Sequence, residues 1–460
     1  MMISKSLMDE SIEKAIKNGG DFAELFIENT EKTEMYIKDG SYQSLVKKNI
    51  SGIGIRIISK RQQFYAFTND LSRNSILKCV DDLSCAIDGK SVNDRIPKLS
   101  GQEVKNILCH NNLGVRAVKQ KKNYGNEICK ATQRYHQIKQ TEIVIWNSVQ
   151  NVIIANSIGA CMQDRRERSR LITSVIAEKA RNIQKSSLTY GFLKGWDCLH
   201  DVDAELIGNI CAEQAIELLT AQQCPTGKMP IVIAGGLGGA FFHEACGHSL
   251  EASYISSGNS EFSGKIGENI ASSLVTMIDD GSIDGLWGTN DIDDEGMLCK
   301  KNILIENGIL KGYLIDYLNS LYMGMPATGN ARRESYCYAP TSRMMNTYIA
   351  AGNDLEEEII SSVNYGIYID EFKGGSVNPL TGEFNVGILR GHLIKNGKLD
   401  RAIKGGTLIG YGSDMMKKID RVGKNLIWSH GMCGARSGEI PVGIGQPMIR
   451  ISEGTVGGTG

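Results

Sequence analysis

Proline is scarce, with 8 residues in a chain of 460, so rigid linkers are few. The twelve cysteines form no C-x-x-C pair and follow no regular framework, which leaves free thiols in a reducing cytoplasm as the expectation. No long hydrophobic run is present. The longest, Ile231 to Phe242, is half glycine and alanine and too short to span a bilayer. The opening twenty residues carry helical spacing ending at Gly19-Gly20, without the continuous apolar stretch of a secretory signal. Nor is there a charge excess: 51 Lys+Arg against 52 Asp+Glu give a net charge of −1. That balance supplies no overall pull toward nucleic acid or anionic lipid. A cytoplasmic protein with no nucleic-acid or membrane partner is expected.

What is abundant is glycine, 52 residues, the mark of many tight turns. The length exceeds a single ordinary core and implies two or three domains. We divide the chain at 1–100, 101–225 and 226–460. The first part reads as a helix, four short strands around "DFAELFIEN", "TEMYIKDG", "YQSLVKKN" and "GIGIRIIS", and a second helix. The polar stretch "DGKSVNDRIPKLSGQ" is a boundary. A charged helical region (Leu113 to Gln140), strands "TEIVIWNSV", "NVIIANS" and "RLITSVIAEKA", and a helix over "DAELIGNICAEQAIELLTAQ" follow. "CPTGKMP" reads as the main linker. Beyond it, Asn307-Gly308 and Asn396-Gly397 sit between apolar strands, the signature of type I′ hairpins. Strands grouped in runs with helices apart predict a multi-domain α+β fold of mixed sheets, with a strand-rich C-terminal half.

The chemistry concentrates in "FFHEACGHSLEAS". His243 is followed by Glu244, and His248 comes five positions after the first histidine. A step of five leaves two side chains roughly 140° apart on a regular helix, so both imidazoles cannot face one ion. A π turn, with its i→i+5 hydrogen bond, absorbs the extra residue, and Gly247 tolerates the distortion. A catalytic zinc takes three protein ligands and an open position. Cys246, His392, His430 and Cys433 compete for the third place, and spacing does not choose among them.

These stretches, with "MIDDGSIDGLWGTNDIDDEG", "GNARRESYCYAPTSRMMNTY", "GGSVNPLTGEF", "KGGTLIG" and "GMCGARSGEIPVGIGQP", closely resemble the TldD/PmbA family of metallopeptidases, specifically its catalytic TldD type. The N-terminal "YIKDGSYQSLVKKNISGIGIRII" resembles that family's first domain. The resemblance implies Zn2+ held by His243, His248 and Cys433, with Glu244 as the catalytic carboxylate. It also implies a homodimer, or a heterodimer with a PmbA/TldE-type subunit, that encloses the site and acts on small peptides or unfolded polypeptide. Ser249, Ala252 and Ala435-Arg436 depart from the family pattern beside the ligands and bear on substrate preference. The alternative is a non-catalytic binding or regulatory subunit, such as a modulator of a gyrase–toxin system.

Three other segments carry weaker signals. "GGLGGA" lacks the last glycine of a phosphate-binding loop and reads as close backbone packing. "DIDDEG" imitates a calcium loop whose twelfth position, Asn302, has no carboxylate, and it reads as a solvated acidic turn. Arg332, Arg333 and Arg343 serve either a peptide carboxylate or structural ion pairs. Glu251, one turn after His248, is either a ligand-orienting residue or a surface glutamate.

Overall fold

A period of two governs the N-terminal half, because successive residues of a strand project to opposite faces. The computed structural model describes residues 3–87, 98–99 and 115–458. Except for Lys98 and Leu99, the boundary stretch 88–102 lies outside the described residues, as do Met1-Met2 and the start of the Leu113 segment. Helix α1 (Lys5–Ile16) is capped by the Ser4 hydroxyl, which accepts from the Leu7 N–H. Strands β1 (Phe22–Lys38), β2 (Ser41–Ser59) and β3 (Gln62–Thr68) precede α2 (Arg73–Ser84). Helix α3 (Val115–Thr132) leads into β4 (Ile138–Asn156), β5 (Cys161–Lys179), β6 (Asn182–Phe192) and α4 (Ala204–Thr220). The six strands make one antiparallel sheet in the order β3-β2-β1-β4-β5-β6.

Two expectations change here. The four short strands of the first part are two long ones, β1 and β2, joined at Asp39-Gly40. Segments "TEIVIWNSV" and "NVIIANS" are likewise a single strand, β4. The polar run Thr30 to Lys32, which reads as a break, keeps pairing with Ile50, Asn49 and Lys48 on one side and Gln150, Val149 and Ser148 on the other. The "CPTGKMP" segment also differs from a free linker. Cys224 is buried with its N–H donated to Lys404 O, and Gly227 already begins a strand.

Odd-numbered residues of β1, including Leu25, Ile27, Met35 and Ile37, lie beneath the four helices in two apolar clusters. Even-numbered Glu24, Phe26 and Glu28 face the C-terminal half and are also buried. This second face is a seam of charges. Arg333 pairs with Glu24 and stacks 4.3 Å over the Phe26 ring. Arg56 pairs with Glu295, and Arg166 Nη1 lies 2.6 Å from Asp294. The acidic turn expected to be solvated is therefore buried: Asp293, Asp294 and Glu295 are 0%, 1% and 3% exposed. Arginines from the N-terminal sheet and backbone N–H groups supply the partners that make this tolerable.

The C-terminal half holds a mixed sheet and a closed ring of five strands. In the ring, Tyr365–Asn378 pairs with Gly227–Ile233, then Ile449–Gly457, Thr407–Tyr411, Glu383–Lys395 and back to Tyr365–Asn378. Its core includes Ile231, Ile233, Ile367, Phe384 and Ile451. The mixed sheet ends on strand Ile427–Ala435, which among the described residues pairs only with Gly438–Gln446. Asn307-Gly308 and Asn396-Gly397 both turn hairpins with positive φ at both residues, as a type I′ turn requires. The architecture is multi-domain α+β. No helix among the described residues is long and apolar enough to cross a membrane.

Removing one carboxylate from the seam leaves buried arginine charge uncompensated. Glu24→Ala should lose about 3–5 kcal/mol of stability in urea unfolding. A loss no larger than that of an exposed glutamate would show that the seam contributes little.

Candidate metal centre

The segment around His243 changes helix type twice in eleven residues. Ala240–Phe242 is α-helical, His243–Gly247 is a π turn, and His248–Leu250 is 3₁₀. The His248 N–H donates to His243 O, the i→i+5 bond that the late histidine demands. Packing holds the turn in place. Phe241, Phe242, Ala245, Cys246 and Leu250 join the core of the C-terminal half, with Phe241 edge-on to Phe384 at 5.6 Å. Gly247 is the close-approach point, since a Cβ there would fall 2.4 Å from Met344 Sδ. The preceding glycines also serve packing, as Gly239 lies where a Cβ would meet Ile444 at 2.5 Å.

The two imidazoles stand 4.9 Å apart between ring centres, nearly perpendicular. Cys433, on the edge strand Ile427–Ala435, lies with Sγ 3.4 Å from Nε2 of each histidine. The three donor atoms fall within 4.8 Å of one another. The other candidates stand elsewhere. Cys246 is fully buried in the core, where burial raises its thiol. His392 bridges Asp370 and Glu217 at 3.1 Å each. His430 sits three residues before Cys433 and so on the other face of the strand, against Trp287, where burial and Arg170 bring it down to about 4.

Electrostatics favour a thiolate here. Burial alone raises the Cys433 thiol, but the charge of and hydrogen bond from His243, then those from His248, outweigh it and bring it to about 3. For His248, burial lowers the pKa, and the Glu251 and Cys433 charges reverse this to well above the ordinary value. Glu251, 2% exposed, places Oε1 3.2 Å from His248 Nδ1, which leaves Nε2 toward Cys433. Arg343 holds the other side of the site, with Nη2 donating to Cys433 O at 2.5 Å and Nη1 to Ser437 Oγ at 3.0 Å. Arg332 and Arg333 make structural contacts, to Met344 O and Pro441 O and to Glu24. None of these three arginine roles is readable from residue type alone.

Glu244 is half-buried and lines a cleft of about 560 Å³ with His243, His248 and Cys433. Gly374 to Val377 and Gly431 to Ala435, from two different sheets, also line it. Glu244 Cγ lies 3.3 Å from where a Gly375 Cβ would be, so glycine there makes room for the carboxylate. Tyr254 and Arg436 border both this cleft and a neighbouring one of about 720 Å³. Sequence reasoning missed Tyr254 and marked Arg436 only as a departure beside the ligands.

Two imidazole nitrogens and a thiolate suit zinc. Zn–N near 2.05 Å and Zn–S near 2.3 Å in a tetrahedron imply N···S of about 3.5 Å, close to the spacing found. Profiles described as PmbA/TldA metallopeptidase domain 1, central domain and C-terminal domain match residues 23–86, 113–219 and 226–458. The chain belongs to the PmbA/TldA metallopeptidase family. It is 34% identical over 451 residues to a metalloprotease TldD homolog of Haemophilus influenzae, covering 95% of this chain and 93% of the relative. A zinc metalloprotease TldD homolog of Saccharolobus solfataricus is 29% identical over 54% of this chain and 55% of its own length. Among solved structures, TldE of Thermococcus kodakarensis superposes with a TM-score of 0.77 at 16% identity, covering 98% of this chain and all of that one. The PmbA/TldA fold thus extends over nearly all of the described residues.

Folding takes Cys433 from about 9 to about 3, so its contribution to stability is full above pH 9, declines progressively below that and is gone once pH falls through about 3. In metal-free protein, the ultraviolet thiolate absorbance assigned by Cys433→Ser should persist to about pH 3–4. Loss of that signal near neutral pH would contradict the ion-pair geometry.

Proposed function

We propose that the chain is a zinc peptidase acting on small or unfolded peptides, with His243, His248 and Cys433 as metal ligands and Glu244 as general base. The observation that carries this reading is the convergence of Nε2, Nε2 and Sγ across 185 residues of sequence beside an open cleft that Glu244 shares. A bound zinc ion supplies Lewis acidity that polarises the scissile carbonyl and acidifies a water molecule. Glu244 takes the proton of the attacking water and returns it to the leaving amine. Glu251 fixes the tautomer and orientation of His248, and Arg343 fixes the backbone of Cys433.

Substrate would lie extended between two strand edges. Among the described residues, Ile427–Ala435 is an edge strand, and Gly374 to Val377 pair on one side only, with Phe384 to Gly387. Backbone pairing at such edges reads little side-chain identity. It suits unstructured chains and spares folded ones. Family membership supports a cytoplasmic particle of two subunits, either two copies or this chain with a PmbA/TldE-type partner, enclosing the cleft.

Glu244→Gln should keep its zinc while cleavage of a disordered peptide falls about 10²–10⁴-fold. Should that variant lose metal as fully as His243→Ala, Glu244 would be a structural or ligating residue and another base would be needed. In parallel, Cys433→Ala should lose zinc in elemental analysis and Cys246→Ala should retain it; equal occupancy in both would sink the ligand assignment. Stoichiometric metal without turnover of any unstructured peptide, alone or with a partner subunit, would favour a binding subunit instead.

A further inference from the structure

Two arginines in the seam have no carboxylate. Arg168 on β5 donates from Nε to Trp287 O at 3.1 Å, and from Nη2 to Thr289 O at 2.7 Å and Asn290 Oδ1 at 2.6 Å. Arg332 donates from Nη1 to Met344 O at 2.9 Å and Pro441 O at 2.6 Å. They are 5% and 2% exposed, and among the described residues no carboxylate oxygen comes within 4.0 Å of either. Their neighbours differ: Arg166 is matched by Asp164 and Asp294, and Arg333 by Glu24. Neutral carbonyls satisfy hydrogen bonds but do not balance a buried charge.

Both side chains line a cavity of about 70 Å³ at the junction of the N-terminal sheet and the C-terminal half. Among the described residues, Arg168 Nη1 and Arg332 Nη2 find no acceptor. Lys32, half-buried, lines the same space, as do Arg166 and Arg333 with their carboxylate partners. Three carboxylates also line it, but Asp294 is engaged by Arg166, and Glu334 accepts from the Glu439 N–H. Glu439 itself is exposed. Burial, then the charges of Arg332 and Arg166, bring Arg168 down to about 9 against the opposing pull of Asp164 and Asp294.

We propose that this cavity binds one small tetrahedral oxyanion, of the class of inorganic phosphate or sulfate. Guanidinium groups present planar paired donors that match such oxygens. The volume accommodates one such anion or a few waters, and an anion would balance the two arginines that have no carboxylate within 4.0 Å. The cavity is not part of the peptide cleft. Met432 is the one residue lining it that also lines the cleft, and none of His243, Glu244, His248 and Cys433 borders it. The bound anion would tie β5 to the strand Gly438–Gln446, through Arg332 and Pro441, and so brace the strand that carries Cys433.

The test is calorimetric titration of the full chain with inorganic phosphate at fixed ionic strength, beside melting curves in phosphate, sulfate, acetate and chloride. One phosphate per chain is expected, with phosphate and sulfate raising the melting temperature above chloride. Arg168→Gln should weaken phosphate binding at least about tenfold. Because that variant removes a buried contact and can fail to fold, Lys32→Ala at the cavity wall provides the second arm. It should bind phosphate a few-fold more weakly with an unchanged circular dichroism spectrum. Absence of saturable phosphate uptake overturns the proposal. So does equal stabilisation by acetate, or uptake that is unaffected by Lys32→Ala and by a folded Arg168→Gln.

Discussion

One backbone hydrogen bond, from the His248 N–H to His243 O, sets the geometry on which the candidate centre depends. An α-helical turn would carry one imidazole away from the other. The π turn brings both to Cys433 Sγ at 3.4 Å. A π turn is unfavourable on its own and persists where packing over-determines it. Here the aromatic pair Phe241 and Phe242, the buried Cys246 and the Met344 contact at Gly247 provide that packing.

The third donor comes from the end of the chain on a sheet edge, and its position relies on buried charge. Arg343 reaches the carbonyl of Cys433 and the Ser437 hydroxyl, while Glu251 lies between Arg343 and His248. Behind the strand, the seam joins Arg56, Arg166 and Arg333 to carboxylates across the two halves of the molecule. Buried ion pairs of this kind contribute little net stability but make misalignment costly, because each partner left alone is an uncompensated charge. The site is thus aligned by electrostatic specificity as much as by apolar packing.

The cleft is built from pieces of two sheets that share no strand. The ring supplies Gly374 to Val377, the mixed sheet supplies Gly431 to Ala435, and the π segment lies between them. Glycine at 375 leaves room for Glu244, so the carboxylate and the strand edge occupy one wall.

The five-residue spacing, by itself, determined that a regular helix would not serve, because 100° per residue leaves the imidazoles about 140° apart, a difference that a π turn absorbs. The Asn-Gly pairs determined their hairpins, since few residues other than glycine and asparagine accept positive φ in sequence. Family membership was also legible, in the order of several separate motifs. Choosing Cys433 over Cys246, His392 and His430 needed either that resemblance or the fold, because only tertiary structure closes a separation of 185 residues. Strand lengths were misread where polar residues continued a ladder, as at Thr30 to Lys32, since propensity does not record what the neighbouring strand offers. The burial of Asp293, Asp294 and Glu295 was equally hidden: their partners Arg56, Arg166 and the backbone around Ala331 arrive from elsewhere in the chain. A local pattern specifies what a segment can adopt, and only the tertiary structure decides which charges it must meet.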